Sequence, residues 1–268
     1  MIPKIIHYCW FGDNDKSDKI RFCMNTWKEK LPDYELKEWS EKELDLFKDN
    51  AYVMEAYKSK KWAFVSDVFR LYALDTYGGI YLDTDVEVKK SFDDLLELDF
   101  FIGSERSKKN YNLGTAVIGA TKNNQIIKDM LQAYNERHFL DGNGDCIMTP
   151  NPVILGEVLT SYGINNKAYS NVNIFEFNNN SILFPYTFFC RETPLSYAVH
   201  HFEASWFDAY VLKKQFKIRF PKNNNFTIFW YRQKNKRETF SYPCSYDKIL
   251  FDFNIRRYKF LVIKSEIK

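Results

Sequence analysis

"AFVSDVFRLYALDTYGGIYLDTDVEV", residues 63–88, decides the fold. From Trp62 to Tyr77 the residues predict a helix. Phe64, Val65, Val68, Phe69, Leu71 and Leu74 leave it almost no wet face, so it belongs in a core rather than on a surface. Gly78–Gly79 closes it as a C-cap, and "IYLDTDVEV" follows as a strand. Asp67 and Arg70 interrupt the apolar helix, and Asp83 and Asp85 end the apolar strand.

Outward from this stretch, helices and strands alternate. "IPKIIHYCWFG" is rich in β-branched and aromatic residues and closed by Gly12, which predicts a first buried strand. Ser17 to Lys30 reads as a helix ended before Pro32, and "YELKEWS" as a second strand. "SEKE", Ser40 to Glu43, has capping-box spacing. "FFIGSE" and "TAVIGA" are short apolar runs, and Asn124 to His138 reads as an amphipathic helix. This alternation predicts the α/β class, with helices around a central sheet.

The 268 residues, 45% hydrophobic and 18% aromatic, suffice for one large domain or a domain with an appendage. No run of eighteen apolar residues is present to span a bilayer. "MIPKIIHYCWFG" lacks the charged segment, apolar stretch and cleavage site of a signal peptide. The five cysteines, Cys9, Cys23, Cys146, Cys190 and Cys244, are scattered and form no CxxC, which suits reduced thiols in a cytosolic protein.

The net charge of +3 conceals an asymmetry. Residues 211–268 hold 15 Lys and Arg against 4 Asp and Glu, with 13 aromatic residues, whereas residues 1–210 hold 23 basic and 31 acidic side chains. A composition boundary therefore falls near residue 210, separating a domain at 1–210 from a basic, aromatic extension at 211–268. Interleaved basic and aromatic side chains suit an anionic membrane surface. Read as a helix, the last segment gathers Phe251, Ile255, Tyr258 and Val262 on one face beside Arg256, Arg257 and Lys259. A solvated basic face is the plainer alternative. No nucleic-acid-binding motif is present, so nucleic acid is not an expected partner.

In an extended strand Asp83 and Asp85 point to the same side. Two carboxylates there either chelate a hard divalent cation, Mn²⁺ or Mg²⁺ in preference to zinc, or solvate a strand end. Asp67 and Arg70, three apart on the helix, either form a buried ion pair or present an acid and a guanidinium to a sugar nucleotide.

"IPKIIHYCWFG", "AFVSDVFRLYALDTYGGIYLDTDVEV" and "YAVHHFEASW", in this order over roughly residues 1–210, resemble the glycosyltransferases of family 32 and, more distantly, the glucosylating domains of large clostridial toxins. The resemblance implies a GT-A type nucleotide-sugar-binding fold, a mixed central sheet flanked by helices, with a nucleotide-sugar donor, a divalent cation and retention of anomeric configuration. By position, Trp10 would stack on the nucleotide base with Tyr8 beside it. Asp67 and Arg70 would bind donor sugar and diphosphate, and Tyr81 and Asp83 would lie against the nucleotide sugar. Asp85, with Asp83, would ligate the metal, His200 or His201 would reach it from the opposite side, and Ser205 and Trp206 would close over the diphosphate. Asn112 is a further candidate near the sugar. Asp67, Arg70, Asp83 and Asp85 are thus the expected catalytic set.

The implied function is a metal-dependent retaining transferase using a UDP-sugar and a glycan acceptor, expected to be lipid-linked, in bacterial capsular or other cell-surface polysaccharide synthesis. The implied place is cytoplasmic, peripheral on the inner face of the membrane. Two alternatives stay open. "IYLDTDVEV" also satisfies the pattern of aspartate-nucleophile phosphatases, and the same groups could serve a non-catalytic sugar- or metal-binding module.

Overall fold

The computed structural model describes residues 1–12, 14–107, 110–170, 173–178, 180–202, 210–218, 225–233, 249–255 and 258–265. The chain divides into two compact units, Met1–Glu203 and Ala204–Lys268.

The first unit holds strands β1 (Ile5–Cys9), β2 (Glu35–Trp39), β3 (Gly79–Leu82), β4 (Val86–Val88), β5 (Phe100–Ser107), β6 (Asn110–Ala120), β7 (Phe175–Phe177), β8 (Ser181–Phe184) and β9 (Ala198–His200). Its helices are α1 (Asp18–Lys30), α2 (Ala51–Lys58), α3 (Trp62–Tyr77), α4 (Gln125–Asn135), α5 (Asn151–Thr160), α6 (Asn166–Tyr169) and α7 (Tyr186–Phe189). Seven strands form one sheet in the order β2-β1-β3-β6-β5-β8-β7. β1 is parallel to both β2 and β3, β6 is antiparallel to β3 and β5, β8 is parallel to β5, and β7 is antiparallel to β8. This is the α/β fold with a mixed central sheet that the sequence predicts.

Several local expectations hold because their causes are local. Ser17 caps α1 by accepting from the Ile20 amide. The capping box at Ser40 and Glu43 forms, although it heads a 3₁₀ helix over Glu41–Phe47. Asn124 caps α4, which ends at Asn135. Helix α3 buries Phe64, Val65, Val68, Phe69, Leu71 and Leu74 against one large core cluster.

The glycine pair after α3 is fixed by space as well as by angle. Gly78 has φ +66° and Gly79 φ +113°. A Cβ on Gly78 would lie 2.6 Å from the Lys122 backbone nitrogen, and one on Gly79 would lie 2.6 Å from the Ile5 carbonyl. The chain therefore drops from α3 into the centre of the sheet only without side chains there. His7 seals this joint. Fully buried, it accepts at Nδ1 from Trp39 Nε1 (3.2 Å), so Nε2 carries the proton and donates to the Gly78 carbonyl (2.8 Å).

Two expectations are corrected. The strand expected over residues 80–88 is broken: β3 belongs to the large sheet, and after a turn through Asp83–Asp85, closed by the Val86 amide on the Asp83 carbonyl (3.0 Å), β4 starts a separate two-stranded sheet with β9. Trp27 pins this departure by donating from Nε1 to the Val86 carbonyl (2.7 Å), and the Val88 amide donates to Thr26 Oγ1 (2.9 Å).

In the second unit, β10 (Tyr210–Ile218), β11 (Asn225–Gln233), β12 (Ile249–Ile255) and β13 (Tyr258–Ser265) form an antiparallel sheet ordered β10-β11-β13-β12. The last segment is thus two strands rather than a helix. Phe251 pairs with Val262 and Ile255 with Tyr258 along the β12–β13 ladder. Arg256 and Arg257 lie outside the described residues. No helix among the described residues is long and apolar enough to cross a membrane.

Candidate functional site

The site is built where α3, β3, the turn after β3, β5, β6 and β9 converge. Its deepest part is the pair on α3. Arg70 Nη2 lies 2.9 Å from Asp67 Oδ1 and 3.4 Å from Asp83 Oδ1, with the arginine side chain almost wholly buried. Its remaining donors are satisfied as well: Nη1 donates to the Thr115 carbonyl (2.7 Å) and Nε to the Ser66 carbonyl (3.3 Å), and the guanidinium lies 4.4 Å from the Tyr81 ring centroid. Tyr81 donates its hydroxyl to Asp83 Oδ1 (2.9 Å).

Asp67 is held from its other side by Asn151, whose Nδ2 donates at 3.0 Å. The Tyr134 hydroxyl donates in turn to Asn151 Oδ1 (3.0 Å). Burial pushes the Asp67 carboxyl up to about 7: the Arg70 guanidinium pulls it down and the Asp83 charge adds to the rise. Burial disfavours the Arg70 cation, but the neighbouring acids more than offset this and raise its pKa further.

A bulge in β6 supplies part of this arrangement. β5 and β6 pair Ile102 with Ile118 and then Gly103 with Gly114, which leaves Thr115, Ala116 and Val117 inserted on β6. Thr115 thereby offers its carbonyl to Arg70, and Ala116 accepts from the Asp83 amide (2.9 Å).

At the rim, the β4–β9 pairing brings in a residue from far downstream. Val86 pairs with His200, and the His201 amide donates to the Asp85 carbonyl (3.2 Å). His200 Nε2 then lies 3.4 Å from Asp85 Oδ1, and one ligand atom each of Asp83, Asp85 and His200 lies within 4.8 Å of the others. Asp83 and Asp85 converge through the turn, not through strand alternation. Burial lowers the proton affinity of His200, but the hydrogen bonds it donates to Asp85 and Glu105 outweigh this and hold the ring well above the usual imidazole range. Two carboxylates and an imidazole fit Mn²⁺ well, since carboxylates suit hard cations and the nitrogen favours a transition metal. These three residues would hold the ion.

The other expected residues fall as follows. His201 does not join the triad: neighbours on a strand face opposite ways, and its Nε2 lies 2.8 Å from Glu87 Oε2. Tyr8 is buried edge-on against Trp27 (centroids 5.5 Å), with Glu38 and burial raising its hydroxyl pKa. Trp10 is half-buried, donates to the Asn14 carbonyl (3.1 Å) and lies under Lys16 (4.9 Å), so its ring borders solvent. Tyr81, being buried, supports Asp83 and Arg70 rather than facing outward. Asn112 is exposed on β6, paired with Glu105. Ser205 and Trp206 lie outside the described residues. Asn151 and Glu105 were missed, since nothing local in the sequence marks the partner of a distant charge.

Glycosyltransferases are the proteins to which the chain is similar. Residues 17–101, which include Asp83 and Asp85, match the family described as "Glycosyltransferase sugar-binding region containing DXD motif". Over 165 residues, 51% of this chain and 26% of the other, the chain is 30% identical to Subversion of eukaryotic traffic protein A of Legionella pneumophila. Over 145 residues, 52% of this chain and 40% of the other, it is 28% identical to Inositol phosphoceramide mannosyltransferase 3 of Schizosaccharomyces pombe. The chain therefore spans less than half the length of these two curated relatives. Among solved structures, the PaToxG glycosyltransferase superposes with a TM-score of 0.45 at 26% identity, covering 60% of this chain and 69% of that one.

Proposed function

We propose that this chain is a metal-dependent retaining glycosyltransferase that moves a sugar from a nucleotide sugar, a UDP-sugar in this reading, to a glycan acceptor. The observation that carries the reading is the convergence of Asp83, Asp85 and His200 beside the buried Asp67–Arg70 pair, all but His200 lying within the residues that match a DXD-containing sugar-binding region. Cleaving the donor leaves negative charge on a diphosphate and positive charge on the sugar ring. A bound divalent cation supplies Lewis-acid stabilisation of the departing diphosphate. Arg70, fixed by five polar contacts to Asp67, Asp83, Thr115 and Ser66, adds permanent positive potential at no reorganisation cost. Asp83, the less buried of the two acids beside Arg70, provides an acceptor for a sugar or ribose hydroxyl.

The donor diphosphate oxygen deprotonates the acceptor on the same face of the sugar in this scheme, so no covalent sugar–enzyme intermediate forms. Mass spectrometry detecting a glycosylated Asp67 or Asp83 during turnover would replace it with a two-step route. A lipid-linked acceptor is supported by the relative named for transfer to inositol phosphoceramide. The basic, aromatic composition of residues 211–268 supports a peripheral contact with an anionic membrane on the cytoplasmic side, in cell-surface or capsular polysaccharide synthesis. Liposome flotation of the full chain with and without acidic lipid tests that contact, and equal binding to neutral vesicles contradicts it.

The decisive assay incubates the chain with a panel of UDP- and GDP-sugars and Mn²⁺ and measures released nucleotide diphosphate. Release by the wild-type chain that Asp85→Asn abolishes is the expected result. Hydrolysis of simple phosphate esters, with no diphosphate release, would contradict it in favour of phosphatase chemistry.

A further inference from the structure

Glu105 lies at the far side of the His200 ring from the candidate metal position. Its Oε1 is 2.8 Å from His200 Nδ1, and its side chain is largely buried. A carboxylate only accepts, so Nδ1 carries the hydrogen, and the lone pair that a cation would take by displacing any Nε2 proton faces Asp85 and Asp83. We propose that Glu105 is a positioning residue for the metal site: it selects the Nδ1–H tautomer of His200, aims Nε2 at the cation and raises its basicity. The inference rests on the metal-dependent reading above and deepens it.

Four features place Glu105 there. The β6 bulge resets the β5–β6 register at Gly103, two residues before it. Opposite the Glu105 stem, a Cβ on Gly114 would lie 2.6 Å from Glu105 Cγ, so a glycine makes room for this rotamer. β9 fixes the histidine backbone by pairing His200 with Val86. Phe202, with φ +52°, folds back so that its ring centroid lies 4.0 Å from that of His200. The imidazole is thus held by a hydrogen bond at one edge and an aromatic contact on one side, with its second nitrogen free to serve the cation. Carboxylates behind metal-bound histidines act in this way, and removing one typically costs about 10- to 100-fold in metal affinity.

The test titrates Mn²⁺ into the full chain and follows the free aqueous ion by electron paramagnetic resonance. The wild-type chain should bind with a measurable Kd, and Asp85→Asn should lose binding. Glu105→Ala should weaken the Kd by about 10- to 100-fold, and Glu105→Gln, which keeps an acceptor for Nδ1–H without the charge, by less. Long-range ¹H–¹⁵N correlation of the imidazole with Mg²⁺ bound should show the Nδ1–H tautomer in the wild type and Glu105→Gln, and a tautomer mixture in Glu105→Ala. A wild-type Kd and tautomer in a folded Glu105→Ala chain, with Asp85→Asn still deficient, would overturn the role of Glu105 alone. Absence of Mn²⁺ binding by the wild-type chain would overturn the metal reading and the inference with it.

Discussion

Asp67 and Asp85 are acids of one site, and they are compensated differently. Asp67 has its positive charge built into the same helix: Arg70 sits one turn away, and neither side chain is more than 9% exposed. Asp85 meets a histidine delivered by another strand, with a second acid, Asp83, close enough to share a cation. The first arrangement is complete within the protein and cannot exchange. The second has no permanent cation of its own within the triad, and its three ligand atoms lie within 4.8 Å of one another. The inner pair is thus scaffold and electrostatic wall, whereas the rim has the ligand atoms for an exchangeable cation.

Breaking the inner pair should have the largest effect. Arg70→Met leaves Asp67 and Asp83 facing each other without a cation and should lower unfolding free energy in urea by about 3–5 kcal/mol. Asp67→Asn/Arg70→Met should recover a good part of that loss. An equal loss in the double variant would mean that the guanidinium serves packing rather than charge. At the rim, Asp85→Asn should barely change stability but reduce nucleotide diphosphate release by about 10²- to 10³-fold, which an initial-rate assay with saturating Mn²⁺ reads directly.

His7 sharpens the comparison, because it is a buried titratable group compensated by hydrogen bonds alone. Burial lowers its pKa from 6.5 to about 4 in the folded chain. Between these values the unfolded state binds the extra proton, so stability is present above pH 6.5 and is lost as the pH falls towards 4, by about 3 kcal/mol. Protonation would place a hydrogen on Nδ1, against the Trp39 N–H. Chemical unfolding at several pH values should show that slope, and His7→Gln should flatten it. The smallest effect concerns the strand that leads away from the rim. Trp27→Phe removes the donor to the Val86 carbonyl and should cost about 1–3 kcal/mol by thermal or urea unfolding.

The elements whose causes are local were legible in the sequence. Helix α3 announces itself by composition and its glycine pair, the Ser40 capping box by spacing, and the acids at 67, 83 and 85 by standing in apolar runs. What was hidden depends on pairing between distant segments. Nothing in "IYLDTDVEV" shows that the strand stops at Leu82, because Trp27 and Thr26 on α1 draw Val86–Val88 into another sheet. Once β9 pairs with β4 in a set register, the choice between His200 and His201 is decided, since one faces Asp85 and the other Glu87. Asn151 and Glu105 are ordinary residues in sequence and acquire meaning only from the charges they touch. The helix read over 251–262 is a hairpin instead, pairing Phe251 with Val262 and Ile255 with Tyr258, because strand pairing is again a matter between separate segments.

Anomalous diffraction at the manganese edge, from crystals grown with Mn²⁺ and UDP, tests the exchangeable rim most directly. The account predicts one peak bonded to Asp85 and His200 Nε2, with Asp83 beside it and the diphosphate on its open side. A peak elsewhere, or UDP bound with no metal among these three residues, would contradict it.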